Sequence, residues 1–317
     1  MNILIAGGAW FVWKRLVEKL LELWHTIIVL DKSSLSISHT NLKVYVKDLS
    51  VESSLWDVQE SIDIVVDCIG RQYVDTKVPR FWQEQFFDEV NVWVTKKLVT
   101  FSAEKKVKHF IYLSSDMVYG LPKNFPLTES HPCSPIGEYG ASKLKAEALV
   151  ESFSETLWST LILRPRFIIW PWRGGVFAHL LSLFRHHLPV PLLGSGNNMY
   201  QMIHRDDVVD FIILSIEKNI TGTIHLGSKF PITFLEIYDT IKQTTWSHSI
   251  VFPTSHTLNT YVFRFFAFLG FPLLHKEQYL IADKDYVLDT TKAESYGWSA
   301  KVSDKQAIVE AIQKNIW

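Results

Sequence analysis

Three side chains stand at a spacing that could do chemistry: Ser115, Tyr139 and Lys143. Tyr139 and Lys143 lie four apart in YGASK, so on a helix they share one face. A free phenol, with a pKa of about 10, is a poor base at neutral pH, and a neighbouring ammonium favours its phenolate. Ser115 precedes Tyr139 by 24 residues, in SSDMVYG, just after an apolar run at 108–113 that reads as a buried strand. A hydroxyl at that strand end can hydrogen-bond a substrate oxygen and stabilise charge developing there. The chemistry these groups suit is proton transfer at a hydroxyl or carbonyl.

The elements that must position them begin at the amino terminus. Residues 2–6 form a short apolar run, Gly7 and Gly8 break it, and Phe11, Val12, Leu16, Val17, Leu20 and Leu21 then repeat at helical spacing. A second buried strand at 27–30 ends in Asp31. This is the order of a βαβ dinucleotide-binding unit. A carboxylate at Asp31 can accept both hydroxyls of an adenosine ribose and repels a 2′-phosphate, so NAD is expected over NADP. Further strands follow at 43–46, 62–67, 108–113 and 159–163, with a long helical region at 79–105 between them. Open α/β sheets place their ligands at the carboxyl ends of such strands.

Taken together, the opening unit, the Ser-bearing strand end and the YxxxK helix resemble the extended short-chain dehydrogenase/reductase superfamily, and within it the NAD-dependent epimerase/dehydratase group. The resemblance implies an α/β chain with a Rossmann doubly wound parallel sheet and a smaller C-terminal α/β substrate-binding part. The expected division is 1–165 for the NAD-binding core and 166–317 mostly for the substrate part, with some segments returning to the core. In this family Tyr139 is the acid/base, Lys143 holds the nicotinamide ribose and Ser115 binds the substrate oxygen. The cofactor is expected to meet Gly7, Trp10, Phe11 and Val12 in the phosphate loop, Asp31 and Lys32 at the ribose, and Cys68, Ile69 and Gly70 after the fourth strand. Asp48, with Leu49 beside it, matches the family's acid at the adenine ring; its alternative is a solvated turn carboxylate. Pro165 is expected near the carboxamide. Asn91 matches a helix asparagine that supports a water-linked proton path, or is an ordinary helix-face residue.

The substrate is expected to meet Arg71, Asn91, Asp116, Met117, Arg166, Phe167 and Tyr200. Dehydratases of this superfamily carry Asp and Glu after the Ser/Thr. Here Asp116 is followed by Met117, so 4,6-dehydration lacks one acid. Phe167 and Tyr200 replace two nucleotide-sugar contacts of the epimerases. Arg166, Arg173, Arg185 and Arg205 could substitute for them, and each is by default a solvated surface charge. Sugar epimerisation is the first expectation. Ketone reduction of the hydroxysteroid or dihydroflavonol kind is the second, and a non-catalytic Rossmann scaffold the third. Asp207 is expected to cap a helix at 208–217.

Against the family's GxxGxxG, the chain agrees at Gly7 but has Trp10 and Trp13 at the next two glycines. The second glycine lets the backbone approach the pyrophosphate and the third lets helix and strand pack closely. The exchange recurs. Trp24 stands where a left-handed residue after a helix is usually glycine, and Trp158 and Trp246 end helical stretches similarly. Trp93, Trp170 and Trp172 lie where the family gives NVxGT and GPG. The chain's 14 glycines are roughly 4.4% of 317 residues, against about 7% ordinarily, and restoring eight positions brings the share to about 6.9%. The expectation is that these tryptophans are glycines in the native protein, for instance through a stop codon that the source organism reads as glycine. The alternative is a tryptophan-rich homologue that has lost its cofactor. Trp298, in YGWSAKVS, fits as a true tryptophan.

The remaining composition narrows the class. A net charge of −1 argues against a nucleic-acid partner held by bulk electrostatics. Two cysteines, Cys68 and Cys133, are too few for a disulfide framework and suit a reducing cytoplasm. The apolar stretch 261–274 is too short to span a bilayer and contains Arg264 and Pro272, so a lid or core helix is its expected role. His186 and His187 are adjacent and face differently, and no metal is expected. The family resemblance implies a homodimer through two helices, one of them the YxxxK helix.

Overall fold

Seven parallel strands form the main sheet: β1 (Asn2–Ala6), β2 (Thr26–Asp31), β3 (Leu42–Val46), β4 (Ile64–Asp67), β5 (His109–Leu113), β6 (Thr160–Pro165) and a later strand, Gly222–Leu226. Their order is Gly222–Leu226, β6, β5, β4, β1, β2, β3. The computed structural model describes all residues except 52–53, 74–77, 155–158, 172–173, 256, 258, 262, 265–273 and 315–317, and all side chains within that set except those of Phe11, Ser54 and Trp56. Trp158, Trp172, Arg173 and most of 261–274 therefore lie outside the described residues.

A parallel sheet covered on both faces reads as unbroken apolar runs, as in β1 and β5. The two-residue period of a strand sorts those runs into two cores. Ile3 and Ile5 point to one face, where α1 (Phe11–Glu22) packs beside the helix Arg205–Lys218. Leu4 and Ala6 point to the other, which is covered by α3 (Trp93–Glu104) and α4 (Glu138–Ser152). The arrangement is the expected doubly wound sheet. Its strand order reverses between β1 and β4, which opens a crevice at their carboxyl ends.

The expected helix at 79–105 is divided. α2 (Gln83–Asn91) is closed by Val92 and α3 begins at Trp93, the third position of the NVxGT pattern, whose glycine falls at Val94. After β6 the chain enters short two-stranded sheets built from Phe167–Ile169, Val190–Leu193, Met199–Tyr200, Met202–His204, Ile232–Thr233 and Val251–Thr254. These surround a separate apolar cluster that includes Phe177, Phe184 and Ile241. The segment 205–226 returns to the main sheet as the helix Arg205–Lys218 and the edge strand.

Asp207 is not the cap of that helix. His204 holds the cap position and accepts Asp206 N–H at 3.2 Å, whereas Asp207 lies in the first turn and accepts the Lys301 and Val302 N–H groups at 2.9 and 3.1 Å. Trp298 is buried against this helix and donates Nε1–H to the Asp207 carbonyl at 3.1 Å.

Among the described residues, three tryptophans occupy left-handed backbone: Trp24 at φ 61°, Trp82 at φ 66° and Trp246 at φ 53°. Trp24 closes α1 in a Schellman motif, with Trp24 N–H on the Leu21 carbonyl and His25 N–H on that of Leu20. Trp246 repeats the motif through Gln243 and Lys242. Both indoles are more than four-fifths exposed, so little burial offsets a conformation that suits glycine.

Candidate functional site

The crevice has two halves. One, of about 350 Å³, lies beneath the ends of β1, β2 and β4. Gly7 has φ +83°, and a Cβ there would sit 3.2 Å from the Cys68 carbonyl, so only glycine suits the turn. Asp31 ends β2, where its Oδ2 accepts Ala9 N–H and its Oδ1 accepts Ser33 N–H, both at 2.9 Å. These bonds tie the acid to the phosphate loop and leave it lining the crevice beside Lys32. Asp48 and Leu49 line the opposite wall. Bonds from the Ser50 hydroxyl and N–H hold the Asp48 carboxyl below its usual range despite partial burial. Cys68, Ile69 and Gly70 complete the floor, and burial pushes the Cys68 thiol well up.

Arg71 also lines this half, but its guanidinium turns to α2, over the Phe86 ring at 4.3 Å and within 3.3 Å of Glu89. Asn91 pins the Arg71 backbone. Its Oδ1 accepts Arg71 N–H at 2.7 Å, and its Nδ2 donates to the Arg71 carbonyl at 3.1 Å and to Ser142 Oγ at 2.8 Å. Asn91 is therefore a buried clamp between this loop and α4.

The second half, of about 100 Å³, lies beyond β5 and β6 and is lined by Ser115, Tyr139, Met117, Val12, Pro165 and Phe167 among others. Lys143, one turn after Tyr139 on α4, is fully buried between the two halves. Its ammonium donates to the Leu113 carbonyl at 2.9 Å and to that of Ile69 at 3.5 Å, beside Gly70. Burial lowers its pKa to about 8, opposed by Asp67, Cys68 and Glu147. Ser115 Oγ accepts Met117 N–H and donates to Asp116 Oδ1, both at 3.2 Å.

Asp116 and Arg166 form a buried pair, Nη1 to Oδ2 at 2.6 Å. The Arg166 guanidinium is sandwiched between the rings of Tyr200 and Tyr286 at 4.3 Å each. The expectation of a solvated charge at Arg166 therefore fails, because the aromatic pair and the carboxylate replace its water. Burial raises the Asp116 pKa, and Arg166 opposes the shift. With Asp116 held by Arg166 and Met117 in place of the second acid, the dehydratase pattern has no free acid at these two positions.

Indoles occupy the remaining space. Trp10 packs edge to face on Trp170 with ring centroids 5.6 Å apart, and both line the cavity. Trp13 is buried on the inner face of α1, and its Nε1–H has no partner among the described residues. Sequence reasoning missed Tyr73 and Glu277, which close this half from the far side. Glu277 bonds Gly140 from 137 residues away, and no local pattern announces such a contact.

Comparison with known proteins agrees with the fold. Residues 3–227 match the model of the NAD dependent epimerase/dehydratase family. The human dTDP-D-glucose 4,6-dehydratase is 28% identical over 264 residues, covering 77% of this chain and 75% of that protein. A putative UDP-glucose 4-epimerase of Methanocaldococcus jannaschii is 22% identical over 321 residues, covering 98% and 97%. Among solved structures, UDP-glucuronic acid 4-epimerase from Bacillus cereus in complex with NAD superposes with a TM-score of 0.80 at 19% identity, covering 99% of this chain and 98% of that one. The chain belongs to the NAD dependent epimerase/dehydratase family.

Proposed function

We propose that the protein is a cytoplasmic, NAD-dependent epimerase acting on a nucleotide-activated sugar, with Tyr139 as acid/base. The observation that carries the reading is the position of Lys143, buried between a crevice edged by Asp31 and a cavity lined by Ser115 and Tyr139. NAD, held by Gly7, Asp31 and Lys32, would supply a reversible hydride acceptor at the sugar carbon. Tyr139 accepts the proton of the sugar hydroxyl as hydride leaves and gives it back on return, and Lys143 favours the phenolate by its charge. Ser115 donates to the oxygen on which charge gathers. Dehydration is disfavoured because Asp116 is paired with Arg166 and Met117 has no proton to move.

The adenosine half suits the cofactor: Gly7 gives close approach and Asp31 an acceptor for the ribose. The catalytic half does not suit nicotinamide and sugar together, since about 100 Å³ is below the ~300–1,000 Å³ of ordinary small-molecule sites. We attribute the shortfall to Trp10, Trp13 and Trp170 standing where the working protein has glycine, and extend the same reading to Trp24, Trp93, Trp158, Trp172 and Trp246. A second reading, a Rossmann scaffold without catalysis, is favoured by the Trp10–Trp170 contact if those indoles are genuine. A homodimer joined through α4 and the neighbouring α2 accompanies the enzymatic reading.

Calorimetric titration with NAD⁺ of the chain as written and of a W10G/W13G/W170G version tests this. Binding at least about 100-fold tighter by the glycine version, about 2.7 kcal/mol, is expected. Equal binding would end the glycine reading, and no binding by either folded protein would favour the scaffold.

A further inference from the structure

The helix that carries Tyr139 and Lys143 begins without a cap of its own. Its N-cap is Gly137, which has no side chain to accept the first N–H groups. The missing acceptor comes from the C-terminal part. Glu277, in the short helix Lys276–Tyr279, places Oε1 3.1 Å from Gly140 N and 3.0 Å from the Tyr73 hydroxyl, which donates to it. A Cβ on Gly137 would collide with this carboxylate, so the glycine that removes the local cap also admits the distant one. Oε2 is buried in the wall of the catalytic cavity with no partner among the described residues.

We propose that Glu277 is a positioning residue for the reaction: it caps the catalytic helix from the substrate-binding part and, by gaining or losing its own proton, sets how firmly the first turn bearing Tyr139 is held. The role in the reaction rests on the epimerase reading above; the capping does not. Besides the Gly140 N–H, three groups outside its own segment face the carboxylate. The Tyr73 hydroxyl donates to it, the backbone of Tyr139 bonds it, and the charge of Glu138 opposes its ionisation. On its own segment His275 stacks on Tyr73 at 3.9 Å, and burial lowers the His275 pKa to about 4, so that ring is neutral near pH 7. Burial raises the Glu277 pKa to about 7, with the bonds from Gly140 and Tyr73 opposing. An ionised carboxylate is the stronger acceptor of an N–H, roughly twice as strong as a neutral one. The first turn is therefore held tightly above pH 7 and loosely below it. Tyr73 also meets the Tyr139 ring edge to face at 5.8 Å, so one small cluster reports the proton of Glu277 to the acid/base residue.

The test compares the full chain with its E277Q and E277A variants, first by amide exchange and then by turnover. Exchange at Gly140, corrected for the intrinsic pH effect, is expected to slow severalfold in the parent as pH rises through about 7. E277Q should keep an acceptor but show no such step, and E277A should exchange about tenfold faster than the parent above pH 7. In the W10G/W13G/W170G background, kcat of UDP-sugar epimerisation should fall about tenfold in E277A with NAD⁺ affinity unchanged. E277Q should restore the rate below pH 7 without the rise above it. An E277Q variant that keeps the parent's pH step, or an E277A variant that exchanges like the parent, overturns the proposal. Absence of turnover in every version would defeat the epimerase reading, and the exchange arm would still decide the capping.

Discussion

The two halves of the crevice are built from the same sheet edge, yet they differ in what fills them. The adenosine half, under β1, β2 and β4, keeps about 350 Å³ and meets one indole, Trp10, at its rim. The catalytic half, beyond β5 and β6, keeps about 100 Å³ and is lined by Trp10, Trp13 and Trp170. Both halves carry polar groups in their walls, Asp31 and Asp48 in one and Ser115 and Tyr139 in the other, with Lys143 buried between them. The tryptophans therefore act on space and leave the constellation intact. Lys143 is held by the Leu113 and Ile69 carbonyls and, among the described residues, has no carboxylate in hydrogen-bond contact, and burial lowers its pKa.

The sharpest way to break the comparison is to delete one polar group from each half in the W10G/W13G/W170G background. Tyr139→Phe should lower kcat by about 100- to 10,000-fold, the usual value of positioned acid/base catalysis, and leave NAD⁺ affinity nearly unchanged. Asp31→Ala should do the reverse, weakening NAD⁺ by about 10- to 100-fold through loss of charge-assisted hydrogen bonds. Steady-state kinetics beside calorimetry measures both. If both variants lost affinity and rate alike, the two halves would not be separable.

The halves also differ in how pH reaches them. The carboxyl of Asp48 is held low, whereas Glu277 in the catalytic half is pushed up to about 7 from 4.5. Between those two values the folded chain keeps a proton that the unfolded chain has released. Stability should therefore fall as pH rises through this window and level off above it, by on the order of 3 kcal/mol for this group. Asp304, raised to about 7 by burial, contributes with the same sign. Denaturant unfolding across the window should show E277Q with a visibly shallower slope than the parent, and identical slopes would remove Glu277 from the account.

Legibility in the sequence followed the range of the interaction. The βαβ opening, Asp31 and the YxxxK pair could be read because period and spacing are local properties of strand and helix. Trp24 and Trp246 were readable for the same reason: a helix stop demands a left-handed residue within one or two positions. Trp82 escaped because its left-handed backbone precedes a helix, where no such rule applies. The burial of Arg166 depends on Asp116, 50 residues earlier, and on Tyr286, far along the chain. Its apolar sequence neighbourhood, LILRPRFIIW, names neither partner. The capping of α4 by Glu277 spans 137 residues and was equally hidden.

The smallest expected effect bears on the tryptophans outside the crevice. A bulky residue in left-handed backbone costs roughly 1–2 kcal/mol relative to a right-handed one, and glycine escapes most of that penalty. Trp24 and Trp246 are exposed, so replacing them removes little buried area. Trp24→Gly and Trp246→Gly should each raise stability by about 1 kcal/mol, and the two changes should add, since they end different helices. Trp298→Gly is the control: its indole is buried and donates to the Asp207 carbonyl, so its loss should destabilise by about 3–5 kcal/mol. Equilibrium unfolding of the three variants separates tryptophans that the fold tolerates from one that it uses. Should Trp24→Gly and Trp246→Gly destabilise instead, the exposed indoles would be adapted to their positions, and the glycine reading of the crevice would lose its independent support.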